Sequence, residues 1–492
     1  MEDFKMRLFR LLTAMAVTVA LSQCVRADDF TSYQQYQIPD IGTAGVRGLT
    51  VERERQIGEY FLRNARGSLP VIDDPVMNEY LDSIGSRLVM SASNVRFPFT
   101  FLLINNTALN ATAFLGGVVQ VYSGLFHYCA TEDEFASVLA HEISHVTQRH
   151  IARYIEAQSQ KSPLTMAGLI GAIAMSIINP TVGLAALSTT MGAAQQSGIN
   201  FTRENEAEAD RTGIDLMYRA GFNPYGMSDM FKVLMGQQGQ INSAFTMLID
   251  HPLSNIRAAE AQSRAAQLGR RPDSSNVNFQ FAKARADVRY MGITDFVTMK
   301  NSLSSNPYNL PRAYVDYALA LCCYEMGDMA GALESLNRLS AYQDNIFILD
   351  LRTDIAIKQG SAGSAVSMLS GPYSRSPDNA ALALNYANAL LKAGNSAQAV
   401  KILTRFTEKH PDSVAGQSLL AQAADSARNR CQSSMASGAQ YALVANYARS
   451  LNFYNRALTI CSDQYSREIA RALMTKVSEQ RNFDDQIKKA MQ

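Results

Sequence analysis

The chain has no tryptophan, only six histidines among 492 residues, and no excess of either charge. With 45 Lys and Arg against 44 Asp and Glu, the formal net charge is +1. No long-range field is therefore available to draw in a polyanion, and nucleic acid is not an expected partner. There is no zinc-finger pair, no phosphate loop and no stripe of aromatic and basic residues to argue otherwise. No apolar run reaches the roughly 20 residues a helix needs to cross a bilayer, which disfavours a membrane-embedded enzyme. Cysteine is scarce, six in all, and none has the spacing of metal ligands.

What is present is an ordinary globular balance, 47% hydrophobic and 18% charged, on a chain too long for one compact core. Two or more domains are expected. At the start, Lys5, Arg7 and Arg10 precede an uncharged run from Leu11 to Cys24, followed by Val25-Arg26-Ala27. That is the layout of a secretory signal, with cleavage near Ala27. A short N-terminal anchor and lipidation at Cys24 are the alternatives. Export into an oxidising compartment leaves Cys129, Cys322, Cys323, Cys431 and Cys461, of which Cys431 and Cys461 are expected to pair.

Apolar residues at three-to-four spacing make 51–93 helical. Strands are expected at Arg96–Leu103 and Val118–Tyr122, separated by the turn signals Asn105-Asn106 and Gly116-Gly117. Thr131 and Glu134 form a capping box that opens a further helix through Phe135, Val138, Leu139, Ile143 and Val146. Two short apolar stretches, Leu164–Ile178 and Thr181–Ala194, are split by Asn179-Pro180. They are expected to form a helical hairpin, with peripheral membrane contact as the sharper alternative. Another helix opens near Thr202 and stops at Gly221. Polarity rises over 268–277, the expected domain edge.

Beyond about residue 309 the chain repeats. Gly327, Gly360 and Gly394 are 33 and 34 residues apart, and Ala332, Ala365 and Ala399 each follow by five. Pro377 and Pro411 each fall 17 residues after a glycine. This is the tetratricopeptide period, in which a glycine turn joins two helices and proline closes the unit. A fourth, irregular unit is expected around Tyr441–Leu458. The fold class is therefore mainly α: a helical first domain with a small β-sheet, then an α-solenoid of roughly four helical pairs. The expected boundaries are 1–27 signal, 28–265 first domain, 266–308 connection and 309–492 repeats.

The chemistry lies in His141-Glu142-Ile143-Ser144-His145. Imidazoles at i and i+4 share a helix face and reach a single ion. Glu142 is rotated by about 100° from His141, beside the ion, where it can take a proton from the attacking water. The plain alternative is a surface helix with solvated His and Glu, but the flanking apolar residues make this helix buried, where unpaired imidazoles are costly. The extended three-histidine motif needs Gly and His where Gln148 and Ile151 stand, so His150 is left as a helix-end or outer group. The third ligand is better sought in Glu206-Ala207-Glu208-Ala209-Asp210. Glu206 and Asp210 share a face, so that one can bind the metal while the other orients an imidazole, and Glu208 faces away from both.

Residues 51 to about 260 resemble the gluzincin family of the HtpX and CAAX prenyl protease type, whose second motif is ExxAD, and the resemblance implies that 28–265 is a zincin-like metalloprotease domain. The resemblance makes Glu206 the third ligand and Asp210 the family aspartate. Asn110–Gly117 resembles the loop before the active-site helix, with Leu115 in place of proline and an inserted threonine. In that family the next strand pairs its free edge with the substrate, here Val118, Val119, Gln120 and Val121. His251 and Arg257 resemble the HPxxxxR segment. His251 would be a fourth zinc ligand or an oxyanion donor, and Arg257 an oxyanion partner or the ion-pair partner of Asp210. An exported member with a repeat tail is similar to the BepA-like periplasmic group. That likeness implies one Zn2+ per chain, endopeptidase action on misassembled or stalled outer-membrane protein precursors, and contact with the assembly machinery through the repeats. A chaperone or scaffold with a largely latent site shares every one of these motifs.

Overall fold

The computed structural model describes residues 49–159, 203–236, 247, 251, 253–272 and 276–490. The expected signal segment 1–27, Cys24 and the apolar stretches within 164–194 lie outside the described residues.

The helical pattern expected over 51–93 is two helices, Val51–Ser68 (α1) and Pro75–Ser91 (α2). Pro70 lacks the N–H that a continuing helix needs. Asp74 then caps the second helix, its carboxylate accepting from the N–H groups of Val76 and Met77 at 3.2 Å, with Pro75 preset for the first turn. Three strands follow: Thr100–Ile104 (β1), Ala111–Ala113 (β2) and Val118–Tyr122 (β3). The first begins four residues later than expected, because Pro98 interrupts the backbone donors.

The sheet order is β1-β3-β2, with β3 parallel to β1 and antiparallel to β2. This overturns one expectation. Val118, Val119, Gln120 and Val121 belong to the central strand and are paired on both sides, so they offer no free edge. β1 and β2 are the outer strands, and β2 is the one whose backbone meets Glu142. At three residues it is too short to announce itself through alternation.

The helices Ser123–Tyr128 (α3), Glu132–Thr147 (α4), His150–Ser159 (α5), Arg203–Arg219 (α6), Tyr225–Gly236 (α7), Asn255–Leu268 (α8), Val277–Arg289 (α9) and Phe296–Ser305 (α10) complete the first half. One hydrophobic core runs through α2, the sheet, α4, α6, α7 and α9 and on into the repeats. Helix α9, in the stretch the sequence suggests is a connection, is buried along most of its length, from Phe279 to Val288.

The repeat half comprises Arg312–Glu325 (α11), Met329–Asn337 (α12), Ile346–Lys358 (α13), Ala362–Arg375 (α14), Ala380–Lys392 (α15), Ser396–Lys409 (α16), Val414–Ser426 (α17), Arg430–Leu443 (α18), Tyr447–Ile460 (α19) and Gln464–Ala490 (α20). Gly327, Gly360 and Gly394 have φ of 82°, 79° and 82° and end α11, α13 and α15. The next residue donates back across the turn each time, as in Asp328 N–H to the Cys323 carbonyl at 2.8 Å. Ala332, Ala365 and Ala399 are fully buried where the paired helices touch.

The fourth unit is not where the sequence suggests. Its turn is at Arg428, which takes the left-handed φ of 59° in place of a glycine, while Tyr441–Leu458 spans the end of α18 and most of α19. Cys431 and Cys461 are bonded, as expected, tying the start of α18 to the end of α19. Cys129, Cys322 and Cys323 are free and buried.

The tail is docked on the first half at two places. In the first, Arg285 of α9 lies between Asp74 and Asp350 of α13, at 2.6 Å from each. Tyr290 donates to Asp74 at 2.7 Å and Asn385 of α15 to Asp350 at 2.7 Å, so no charge is buried alone. Beside it, Glu79 of α2 accepts from Asn379 and from the Ala380 N–H at the start of α15. In the second, Arg63 of α1 binds Asp484 of α20 at 2.6 Å and Tyr447 of α19 at 3.0 Å.

Candidate metal centre

Helix α4 starts as its sequence dictates. The Thr131 hydroxyl accepts from the Glu134 N–H at 3.1 Å, and Glu134 accepts from the Ala130 N–H at 2.6 Å. The helix is buried almost throughout and carries His141, Glu142 and His145 into the interior. Helix α6 crosses it closely because Gly213 has no side chain. A Cβ there would lie 3.2 Å from the His141 nitrogen. That crossing brings Glu206 and Asp210 to the histidines.

Four buried side chains converge: His141, His145, Glu206 and His251 each place a donor atom within 4.8 Å of the others. His141 Nε2 and His145 Nε2 are 2.9 Å apart, and each is 3.6 Å from a Glu206 oxygen. His251 Nδ1 is 3.1 Å from Glu206 and 3.3 Å from His141 Nε2. Asp210 accepts from His141 Nδ1 at 2.9 Å, which puts that ring's proton on Nδ1 and leaves Nε2 bare. Bare lone pairs and a carboxylate aimed at one point repel one another unless a cation lies between them. The donor set fits a metal, and nitrogen with carboxylate is what zinc prefers.

Glu142 lies beside this cluster. One carboxylate oxygen accepts from the Ala113 N–H of β2 at 2.8 Å. The other is buried without a hydrogen-bond partner, 3.5 Å from His251 Nε2. Burial raises the Glu142 pKa above the ordinary carboxylate value, against the pull of His251 and His141. Burial also pushes Glu206 and Asp210 upward, but their partners win. His251, with His141 and Arg257, holds Glu206 low, and hydrogen bonds from His141 and Arg257 hold Asp210 low. Burial, reinforced by the neighbouring imidazoles, takes His145 well below the usual range.

Arg257 lies against two of these carboxylates. Its Nε and Nη2 grip Asp210 at 2.7 and 2.9 Å, and its Nη1 meets Glu206 at 2.9 Å. Each guanidinium nitrogen is engaged with a carboxylate, the geometry of the ion-pair alternative. For His251 the position at the fourth corner matches the ligand alternative. An apolar pocket opens beside His141 and His251, lined by Val138, Met227, Met230, Phe231 and Leu234 among others.

Peptidase family M48 matches residues 75–265, and a tetratricopeptide repeat matches 356–423. The chain is 38% identical over 416 residues to the beta-barrel assembly-enhancing protease of Yersinia pestis, covering 84% of this chain and 85% of the relative. The protein of that name from Escherichia coli (strain K12) is 38% identical over 423 residues, with 85% and 86% covered. The chain belongs to peptidase family M48. As an M48 metalloprotease it needs a metal ion, and the buried cluster is where its described residues offer one. The likeness extends outside its own group, to metalloprotease LoiP of E. coli, 24% identical over 54% of this chain and 99% of the relative.

His150, expected as a helix-end or outer group, lies behind a histidine of this M48 site, and Glu208 lies behind it in turn. His150 Nδ1 is 2.8 Å from His145 Nδ1, and His150 Nε2 is 3.1 Å from Glu208. Glu208 faces away from Glu206 and Asp210, as the helix register requires, yet it reaches the site through His150. The only sequence signal was a histidine five residues after the motif, and the helix break at Arg149, with φ of 55°, hides its direction.

Proposed function

We propose that this M48 protease is a periplasmic zinc endopeptidase that degrades misassembled or stalled outer-membrane protein precursors, with the repeat tail choosing partners and substrates. The observation that carries the chemistry is the convergence of His141, His145 and Glu206 beside Glu142. The biological setting is supported by relatives named beta-barrel assembly-enhancing protease that span most of the chain. On this reading residues 1–27 are removed on export, 28–265 are the peptidase unit, 266–308 connect, and 309–492 are the repeats.

His141, His145 and Glu206 would hold one zinc ion, which when bound polarises the scissile carbonyl and acidifies water. Glu142 takes the proton of the attacking water and returns it to the leaving amine. The Ala113 N–H steadies that carboxylate through one oxygen and leaves the other available. Asp210 orients His141, and Arg257 in turn orients Asp210 and Glu206. An extended substrate pairs with the edge of β2 rather than with Val118–Val121.

A second reading, a chaperone or scaffold of outer-membrane assembly with a latent site, is favoured by one observation. His251 Nδ1 lies at the corner that a water and substrate need. Among the described residues no helix is long and apolar enough to cross a membrane. Peripheral membrane contact through 164–194 is part of the proposal but lies outside the described residues.

The test is metal content and casein cleavage for wild type and Glu142→Gln purified from the periplasmic fraction. One zinc per chain in both, with cleavage only in the wild type, is expected. A wild type that binds no metal overturns the enzyme reading. Full complementation of a deletion strain by Glu142→Gln decides for the scaffold.

A further inference from the structure

We propose that His150 and Glu208 are positioning residues that lock the orientation and tautomer of the ligand His145. The inference rests on the metal reading of the cluster. His145 turns Nε2 toward His141 and Glu206, so Nδ1 is the nitrogen on its far side. That Nδ1 meets His150 Nδ1 at 2.8 Å. Two imidazole nitrogens at this distance share one proton. A ring that offers Nε2 as a ligand keeps its proton on Nδ1, so His145 donates and His150 accepts. His150 must then hold its own proton on Nε2, and that atom is 3.1 Å from the Glu208 carboxylate. Arg153 fixes the carboxylate from outside at 2.7 Å. One requirement, a bare Nε2 on His145, thus sets the direction of every hydrogen bond in the chain.

The other ligand histidine has the same support in shorter form. Asp210 takes His141 Nδ1 directly, and Arg257 backs Asp210 as Arg153 backs Glu208. A single helix, α6, therefore supplies a ligand and both carboxylate anchors at positions 206, 208 and 210. Glu206 and Asp210 share a face and reach the ligands unaided. Glu208 lies about 200° around the helix from Glu206 and cannot, and an intervening ring covers the gap. The ring gets there because the chain turns at Arg149, in the left-handed region, between the end of α4 at Thr147 and the start of α5 at His150. The two rings sit edge to face with centroids 4.8 Å apart, and His150 is wholly buried.

Loss of such a partner weakens metal binding by about 10–100-fold in metalloenzymes generally. Zinc affinity is measured by competition with a chromophoric chelator, alongside the visible spectrum of the cobalt-substituted protein and the thermal unfolding of the metal-free form. His150→Phe, which fills the space without an acceptor, is expected to weaken zinc by that factor and to alter the cobalt bands, with metal-free stability close to wild type. His150→Gln, which restores an acceptor, recovers most of the affinity. Glu208→Ala, at a half-exposed position, weakens zinc by about tenfold, the low end of that range. If His150→Phe does not fold, Glu208→Ala carries the test alone. Zinc affinity within twofold of wild type in a folded His150→Phe, or in Glu208→Ala, overturns the inference. A wild type that binds no zinc overturns the metal reading instead, so the two failures are told apart.

Discussion

The residues of the site divide between those recognisable by spacing and those that depend on a neighbour. His141 and His145 are one helical turn apart, so their common face follows from 3.6 residues per turn alone. Glu206 and Asp210 share a face for the same reason, but nothing in their spacing says which helix they meet. That meeting depends on small residues at close approaches. Gly213 serves the helix crossing, and Gly58 serves a second close approach, between α1 and the turn before β3: a Cβ at Gly58 would lie 2.3 Å from the Leu115 carbonyl oxygen and 2.7 Å from the Gly116 Cα. Gly58→Ala should push the turn 115–117 away from α1, lower stability by about 1–3 kcal/mol and reduce cleavage by shifting β2 against Glu142. Urea unfolding and casein cleavage measured together check both parts. A variant with unchanged midpoint and rate would contradict the packing described.

At the scale of elements, Arg285 is the joint that ties α2, α9 and α13. Buried between two carboxylates, it has its pKa driven well upward by Asp350 and Asp74 despite burial. Arg285→Ala leaves two buried carboxylates without their counter-charge, a loss of about 3–5 kcal/mol. The expected sign is a lower denaturation midpoint for peptidase and repeat signals alike, since one core joins them. The same joint gives a pH dependence. Burial would raise the Asp74 pKa, but Arg285 outweighs it and holds the carboxyl below 3.8. A depressed native pKa means the stabilisation is complete above the unfolded value and is lost as pH falls toward the native one. Stability should therefore decline below about pH 4, where unfolded aspartates protonate. Arg285→Met should flatten that part of the profile, as read by thermal unfolding across pH.

For the whole molecule, the repeat tail is anchored at both ends of its length, near Asp350 and Asn379 and again at Tyr447 and Asp484. The second anchor hangs from the last helices, which the Cys431–Cys461 bond staples across 30 residues. Replacing both cysteines by serine should cost roughly 3–4 kcal/mol in the stability of that unit by the loop-entropy argument. It should also expose the α1 contact around Arg63 to hydrogen exchange. Exchange rates of α1 and α20 equal to wild type would show that the anchor holds without the bond.

Much of this was legible in one dimension. The paired histidines with Glu142, the capping box at Thr131, the repeat period and the cysteine pair all arise from local periodicity or composition, which backbone geometry translates directly into structure. Four things were not. Which strand lies at the sheet edge is a matter of pairing order, and a one-residue alternation cannot report it. The turn at Arg428 uses a residue that carries no turn signal. Glu208 acquires its partner only when separate helices cross. His251 beside the ligands and Arg257 beside Asp210 were alternatives that the family resemblance implied and that local periodicity alone could not reach. Local sequence determined which side chains share a face; long-range packing decided which faces meet, because contacts between distant segments depend on the whole core closing at once.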